Sequence, residues 1–281
     1  MYMNKYGLIG YPLGHSMSPL IHERLFALSG ITAEYSLIEI KPKDMEREMN
    51  GILRELDGFN VTIPHKVDVI PFMTAMADSA KRYSSVNCVK NSGGSFTGYN
   101  TDCDGFLRSA ELLPLSGKVL LVGCGGVGRM IAIEAALAGA ELTIAIIPED
   151  TRRAQLLMAE IIAMKPGASV RIIGVREMSG SYDLCINATP VGMYPKTDAC
   201  PVNDEIIQSS RTFFDVIYNP TETQLIRRAR ELGKTAVGGA AMLVYQAVKA
   251  HEIWYGGEFS PEDVSGIIRS VEQAVAEMNR K

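Results

Sequence analysis

The sequence predicts an α/β protein of two domains, and three observations carry that prediction. Strand-like and helix-like segments alternate through the first hundred residues. The stretch 118–147 then reads as apolar strand, glycine turn, apolar helix and second apolar strand, one βαβ unit of a sheet buried on both faces. From "GGAAMLVYQAVKAHEIWYGG" to the end the pattern is helical and no further strand pair is expected.

In chain order, "YGLIGYP" (6–12) reads as a buried strand. "SPLIHERLFALSG" carries helix punctuation, with Ser18 as N-cap, Pro19 in the first turn and Gly30 as the stop. "AEYSLIEI" reads as a strand, and "KDMEREMNGILRELDG" as one amphipathic helix with Met45, Met49, Ile52, Leu53 and Leu56 inward. "FNVTIP" is the next strand. "SVNCVK" and "SFTGYN" flank "NSGG" as a hairpin. After 118–147, the segments "RAQLLMAEIIAMKPG", "VRIIGV", "YDLCINAT", "RTFFDVIY" and "TQLIRRARELGK" continue the alternation to about residue 237.

Composition narrows the function classes. A chain of 281 residues that is 47% hydrophobic can bury one large core or two modest ones. A net charge of −4 and the lack of any basic tract give no footprint for nucleic acid or a membrane surface. The most apolar region is cut by Arg129, Glu134 and Glu141, so it makes a poor membrane span. No secretory signal pattern opens the sequence, and the five cysteines form no CxxC pair, so reduced thiols in a cytoplasmic protein are expected. The four histidines lack metal-site spacing, and no metal is expected.

"GCGGVG" fits G-x-G-x-x-G through Gly123, Gly125 and Gly128, and it follows a strand and opens a helix, the context a dinucleotide turn requires. Helix N–H groups and the macrodipole there favour phosphate charge. The second strand ends at "IIPEDTRR". Glu149 or Asp150 would accept from an adenosine ribose hydroxyl and repel a 2′-phosphate, whereas Arg152 or Arg153 would bind one. The balance favours NAD, with NADP as the alternative.

Ser16, Ser18, Thr62, Lys66, Asn87 and Asp102 lie near strand ends and turns of the first domain, a set suited to a small polyhydroxylated acid. "HSMSP", "NVTIPHK", "VNCV", "GYNTDCDG", "GCGGVG", "INATPVGM", "DVIYNP" and "GGAAMLVYQA", in that order, resemble the shikimate/quinate dehydrogenase family over nearly the whole chain. The resemblance implies a substrate-binding domain of residues 1–104 plus 238–281 and a Rossmann domain of 105–237. It implies a catalytic pair, Lys66 and Asp102, and a substrate carboxylate held by Ser16 and Ser18. It further implies ring hydroxyls met by Thr62, Asn87, Asp102 and Gln246, with Tyr218 near the substrate. Gly123, Gly125, Gly126 and Gly128 would cradle the pyrophosphate, and Asn187, Ala188, Thr189 and Gly239 would line the nicotinamide side.

Two departures stand out. Pro148-Glu149-Asp150 replaces the Asn-Arg-Thr common in NADP-using members, which agrees with the NAD expectation, and "SSVNC" replaces the usual Gly-Ala-Val-Asn-Thr. The expected reaction interconverts shikimate and 3-dehydroshikimate, or quinate and 3-dehydroquinate, in a monomer or homodimer with no macromolecular partner. Lys66 is expected to move the proton. In an alternating strand His65 points the other way, to packing or solvent. The alternatives are an NADP-specific biosynthetic enzyme and a metabolite sensor without turnover.

Overall fold

The computed structural model describes residues 3–14 and 16–279, so His15 of "HSMSP" lies outside the described residues. The chain forms two compact units: the described residues up to Gly105 with Leu243–Val271, and Phe106–Met242 with the described residues from Glu272 onward.

The first unit contains β1 (Asn4–Gly10), α1 (Ser18–Leu28), β2 (Ala33–Glu39), α2 (Met45–Asn50), β3 (Gly58–Val61), β4 (Ala75–Met76), α3 (Asp78–Tyr83), β5 (Cys88–Ser92) and β6 (Ser95–Tyr99). Helix α4 (Asp102–Ser109) begins in it. The sheet order is β2-β1-β3-β5-β6-β4. β1 pairs in parallel with β2 and β3, and β3-β5-β6 is antiparallel. The β5–β6 hairpin turns on Gly93 and Gly94, both at positive φ, a conformation that matches the twist of a two-residue loop.

Two sequence expectations change here. The helix expected over 43–58 stops at Asn50, because Gly51 adopts φ −107° and ψ −115°, and a 3₁₀ turn over Ile52–Glu55 follows. Met45, Met49, Leu53 and Leu56 are nevertheless buried, whereas Ile52, expected to face inward, is exposed because the break at Gly51 shifts the periodicity. Ser18 is not the N-cap: Met17 occupies that position without a side-chain bond, and the Ser18 N–H donates to Ser16 Oγ at 3.2 Å.

The second unit holds β7 (Lys118–Val122), α5 (Gly126–Ala138), β8 (Glu141–Ile146), α6 (Thr151–Met164), β9 (Ser169–Gly174), β10 (Leu184–Asn187), α7 (Asp204–Ser209), β11 (Thr212–Asp215), α8 (Gln224–Glu231) and β12 (Thr235–Val237). Helices α9 (Ala240–Tyr255) and α10 (Pro261–Met278) follow. Its strands are parallel throughout in the order β12-β11-β10-β7-β8-β9, the doubly wound pattern in which ligands bind where the order reverses. That switch point lies between β7 and β10, whose carboxyl ends lead into Gly123 and Ala188. Among the described residues no helix is long and apolar enough to cross a membrane.

On one face of the first sheet Tyr6 stacks between Phe26 and Trp254, with centroids 5.0 and 4.5 Å away. Trp254, the chain's single tryptophan, donates its indole N–H to the Val89 carbonyl at 3.0 Å. Gly58 leaves the room for this contact, since a Cβ there would stand 2.4 Å from Trp254 Nε1 and 2.9 Å from the Val89 oxygen. Gly58→Ala should therefore lower stability by about 2–4 kcal/mol through overpacking and the lost bond. Denaturant unfolding measures the loss, and Trp254 fluorescence should shift as the indole N–H leaves its partner.

Candidate active site

The loop after β3 carries Thr62, His65 and Lys66. The His65 ring is fully buried, with Nε2 donating to the Ile40 carbonyl at 2.6 Å. Its other ring nitrogen has no hydrogen-bond partner and lies 3.8 Å from the Asp68 carboxylate. Lys66 turns elsewhere. Its Nζ donates to Asp102 Oδ2 at 2.6 Å, and both side chains keep partial access to solvent, 26% for the lysine and 19% for the aspartate. The Lys66 carbonyl accepts from Val86 N–H at 2.7 Å, which ties the lysine's backbone to the strand that presents Asn87.

Asn87 supplies the second contact to Asp102. Its Nδ2 donates to Asp102 Oδ1 at 2.8 Å, so the two carboxylate oxygens are held from opposite sides by a cation and an amide. Asn87 is held in turn by Thr101: its Oδ1 accepts from the Thr101 N–H at 2.7 Å, and its Nδ2 also reaches Thr101 Oγ1 at 3.1 Å. The Asp102 N–H donates to Asn100 Oδ1 at 3.1 Å, and Asp102 opens α4, where the macrodipole favours its charge. Thr101 Oγ1 also donates to Gln246 Oε1 at 3.4 Å. Lys66, Asn87, Asp102 and Gln246 thus share one hydrogen-bonded set. Asn100 and Thr101, its organisers, carry no chemistry that a reading of motifs would have singled out.

Among the described residues, Thr62, Ser16 and Ser18 stand outside this hydrogen-bonded set. Thr62 N–H donates to the Ile9 carbonyl at 2.9 Å, and its methyl packs where a Cβ on Gly10 would come within 2.6 Å. Ser16 and Ser18 meet through the Ser18 N–H, which donates to Ser16 Oγ at the start of α1. The Ser18 hydroxyl, freed from capping, opposes the effect of burial on Tyr35, whose phenol is raised chiefly by desolvation.

In the second unit the glycine turn divides into two roles. A Cβ at Gly128 would stand 2.5 Å from the Gly123 carbonyl oxygen, and one at Gly123, where φ is +94°, would stand 2.6 Å from the Thr189 methyl. These two glycines permit close packing. At Gly125 and Gly126 a Cβ would meet nothing within 4 Å. Those two form an open, side-chain-free cradle at the N-terminus of α5, which suits a pyrophosphate. The residues present therefore fit a nicotinamide dinucleotide.

The Asn187–Thr189 loop is closed on itself, since Asn187 Oδ1 accepts from the Thr189 N–H at 3.0 Å and from its hydroxyl at 2.7 Å. The Gly239 N–H donates to the Ile217 carbonyl at 3.0 Å, next to the half-buried Tyr218. Glu149 is exposed, whereas the Asp150 carboxylate is paired with Arg153.

Asp215, at the end of β11, is a buried carboxyl that the sequence reading passed over, although "DVIYNP" contains it. Burial pushes it up to about 6, against three hydrogen bonds that hold it down. A raised carboxyl binds a proton in the folded chain that the unfolded chain releases, so its contribution is most favourable at low pH. That contribution declines as pH rises from the ordinary carboxylate range through about 6. That elevation corresponds to about 3 kcal/mol. Asp215→Asn removes the titration, so its melting temperature relative to the unmodified chain should climb between about pH 4 and pH 6 and level off above. Thermal melts across that range would show a flat difference if the carboxyl were unperturbed.

Comparison with known proteins fits this geometry. Residues 8–89 match the family model for the shikimate dehydrogenase substrate binding domain. The shikimate dehydrogenase (NADP(+)) of Symbiobacterium thermophilum is 36% identical over 92% of this chain and 90% of its own length. A chorismate mutase/shikimate 5-dehydrogenase fusion protein from Clostridium acetobutylicum superposes with a TM-score of 0.86 at 30% identity, covering 98% of this chain and all of that one. Shikimate 5-dehydrogenase from Thermus thermophilus, solved with NADP(H) and shikimate, superposes with a TM-score of 0.84 at 26% identity over 96% and 100% of the two chains.

The relatives correct the cofactor expectation: they are NADP(+) enzymes, against the NAD that Glu149 and Asp150 were read to favour. The structure supplies a physical reason. Asp150 is occupied by Arg153, and the exposed Arg152 pairs with no carboxylate among the described residues, so the strand end is not a bare acidic pair. The chain belongs to the shikimate dehydrogenase family.

Proposed function

We propose that this chain interconverts shikimate and 3-dehydroshikimate with NADP, and that Lys66, held by Asp102, carries the proton. The observation that carries the assignment is the pair of contacts on Asp102, from Lys66 Nζ at 2.6 Å and Asn87 Nδ2 at 2.8 Å. When bound, the nicotinamide supplies or takes the hydride. The chain supplies orientation and proton handling.

Of the three N–H bonds of the Lys66 ammonium, one is committed to Asp102, and the side chain's partial exposure leaves the others for a substrate oxygen. In reduction a proton passes from Nζ to the forming alkoxide; in oxidation the amine takes it back. Asp102 accepts from the lysine and fixes the position of Nζ. Its second oxygen is held by Asn87, so both carboxylate oxygens are tethered. Ser16 and Ser18 are assigned the substrate carboxylate, Thr62 and Gln246 ring hydroxyls, and Tyr218 a place near the substrate. The first unit is thereby the substrate-binding half. In the second, Gly125 and Gly126 take the pyrophosphate, and Asn187, Ala188, Thr189 and Gly239 the nicotinamide side.

Steady-state assays with shikimate and NADP test the roles of the two neighbours after Pro64. Lys66→Ala should reduce kcat by about 10²–10⁴-fold with NADP binding intact, the range for a lost general acid–base. His65→Gln keeps a donor for the Ile40 carbonyl and should cost less than about tenfold. Near-normal turnover by Lys66→Ala, or equal losses in both variants, would reject the assignment.

A further inference from the structure

The strongest buried polar centre outside the Lys66 network is Asp215. Its Oδ1 accepts from Asn187 Nδ2 at 3.0 Å and from the Ile217 N–H at 3.0 Å, and its Oδ2 accepts from Thr223 Oγ1 at 2.7 Å. The three donors come from three separate segments. Asn187 begins the loop that runs through Ala188 to Thr189 after β10. Ile217 precedes Tyr218, and its carbonyl receives the Gly239 N–H. Thr223 is the N-cap of α8, accepting from the Ile226 N–H. The Val216 N–H also donates to the Asn187 carbonyl at 3.1 Å, which fastens the first two segments side by side.

An ionised carboxylate accepts on both oxygens and donates nothing, so it can satisfy three converging donors at once. An amide in its place must turn an N–H₂ toward one of them. Among the described residues no lysine or arginine pairs with Asp215, which explains why burial dominates its titration. Holding this group charged at neutral pH lowers stability, and perturbed groups of this kind cluster at functional sites.

We propose that Asp215 is a positioning residue for the cofactor side of the site: its carboxylate aims the Asn187–Thr189 loop and locks it to the Ile217–Tyr218 and Gly239 segments. The inference rests on the reading of the second unit as the NADP-binding half. Asn187 Nδ2 divides itself between Asp215 and the Val191 carbonyl at 3.2 Å, so loss of the carboxylate removes one of the two acceptors that orient that amide. The Thr189 contacts, which depend on the orientation of Asn187 Oδ1, would go with it.

The titratable groups around Asp215 do not obscure this effect. Cys200, which interacts electrostatically with Asp215, is raised mainly by burial and stays a thiol; Tyr218 is raised by burial and stays a phenol. Arg228, beside Cys200, remains charged and bound to Asp204.

The test measures equilibrium NADP affinity of the full chain and of Asp215→Asn by fluorescence titration between about pH 5 and pH 8, alongside thermal melts. The unmodified chain should bind NADP about tenfold more tightly than the variant at about pH 8, with the ratio falling to within about twofold by pH 5 as Asp215 protonates. Titration of the cofactor's own 2′-phosphate is common to both proteins and cancels in the ratio. The melts should show the Asn variant at least as stable at neutral pH, an outcome that separates aiming from mere support of the fold. A ratio within twofold at pH 8, or one that does not change with pH, overturns the proposal.

Should Asp215→Asn not fold, Thr223→Val and Thr223→Ser decide instead. The Val variant should lose NADP affinity at least about threefold while the Ser variant keeps it, and equal affinities overturn the proposal. Failure of the unmodified chain to bind NADP would remove the cofactor reading itself, whereas normal binding with an indifferent variant removes only this inference.

Discussion

The substrate half of the site hangs on one carboxylate with two partners. Asp102 is approached by Lys66 Nζ at one oxygen and Asn87 Nδ2 at the other. The arrangement requires that β3 end where it does, because the loop after it must deliver Lys66 outward while burying His65. It also requires β5 to begin beside it, because Val86 N–H bonds the Lys66 carbonyl and Asn87 follows immediately. Helix α4 must start at Asp102, and Asn100 and Thr101 set that start by binding the Asp102 N–H and the Asn87 amide. Three segments are therefore brought into register by one backbone contact and by the Asn87 and Asn100 side chains, before any catalytic chemistry is involved.

The parts of this that can be read from the sequence are those with a local signal. The βαβ unit and its glycine turn carry apolar runs and a spacing that few other structures share, and the doubly wound sheet follows from them. The NSGG hairpin carries its own turn chemistry. What could not be read is what depends on tertiary partners. Ser18 looks like an N-cap, yet the backbone enters α1 one residue earlier and the hydroxyl is released from that task. The 43–58 segment keeps helical periodicity across Gly51, but the glycine's backbone leaves the helix, and the 3₁₀ turn that follows buries Leu53 while turning Ile52 out to solvent. Strand β12 is three residues long and has no pattern of its own; it exists because β11 offers it an edge.

The cofactor expectation failed for a related reason. The NAD expectation takes residues 149–153 as a string of separate charges, whereas charge acts through pairs. Asp150 and Arg153 satisfy each other within one turn of helix, so the local sign is set by the groups left over, Glu149 and Arg152, both exposed. Exposed charges on long side chains are mobile and screened, and they discriminate less than a buried pair would. A rule that reads one acidic residue at a strand end as a veto on a 2′-phosphate is reliable only when that residue has no cation within reach.

His65 and Lys66 show how the fold allocates chemistry between neighbours. Histidine is the usual proton carrier at neutral pH because it titrates there. A substrate cannot reach a ring that is fully buried, with one nitrogen bonded to a backbone carbonyl and the other turned into the interior without a partner. The lysine, with a carboxylate on one side and partial exposure on the other, has what proton transfer needs: a fixed position and remaining N–H bonds free to meet a substrate oxygen. Residue type proposes the chemistry, but the direction of one side chain out of the loop decides which neighbour performs it.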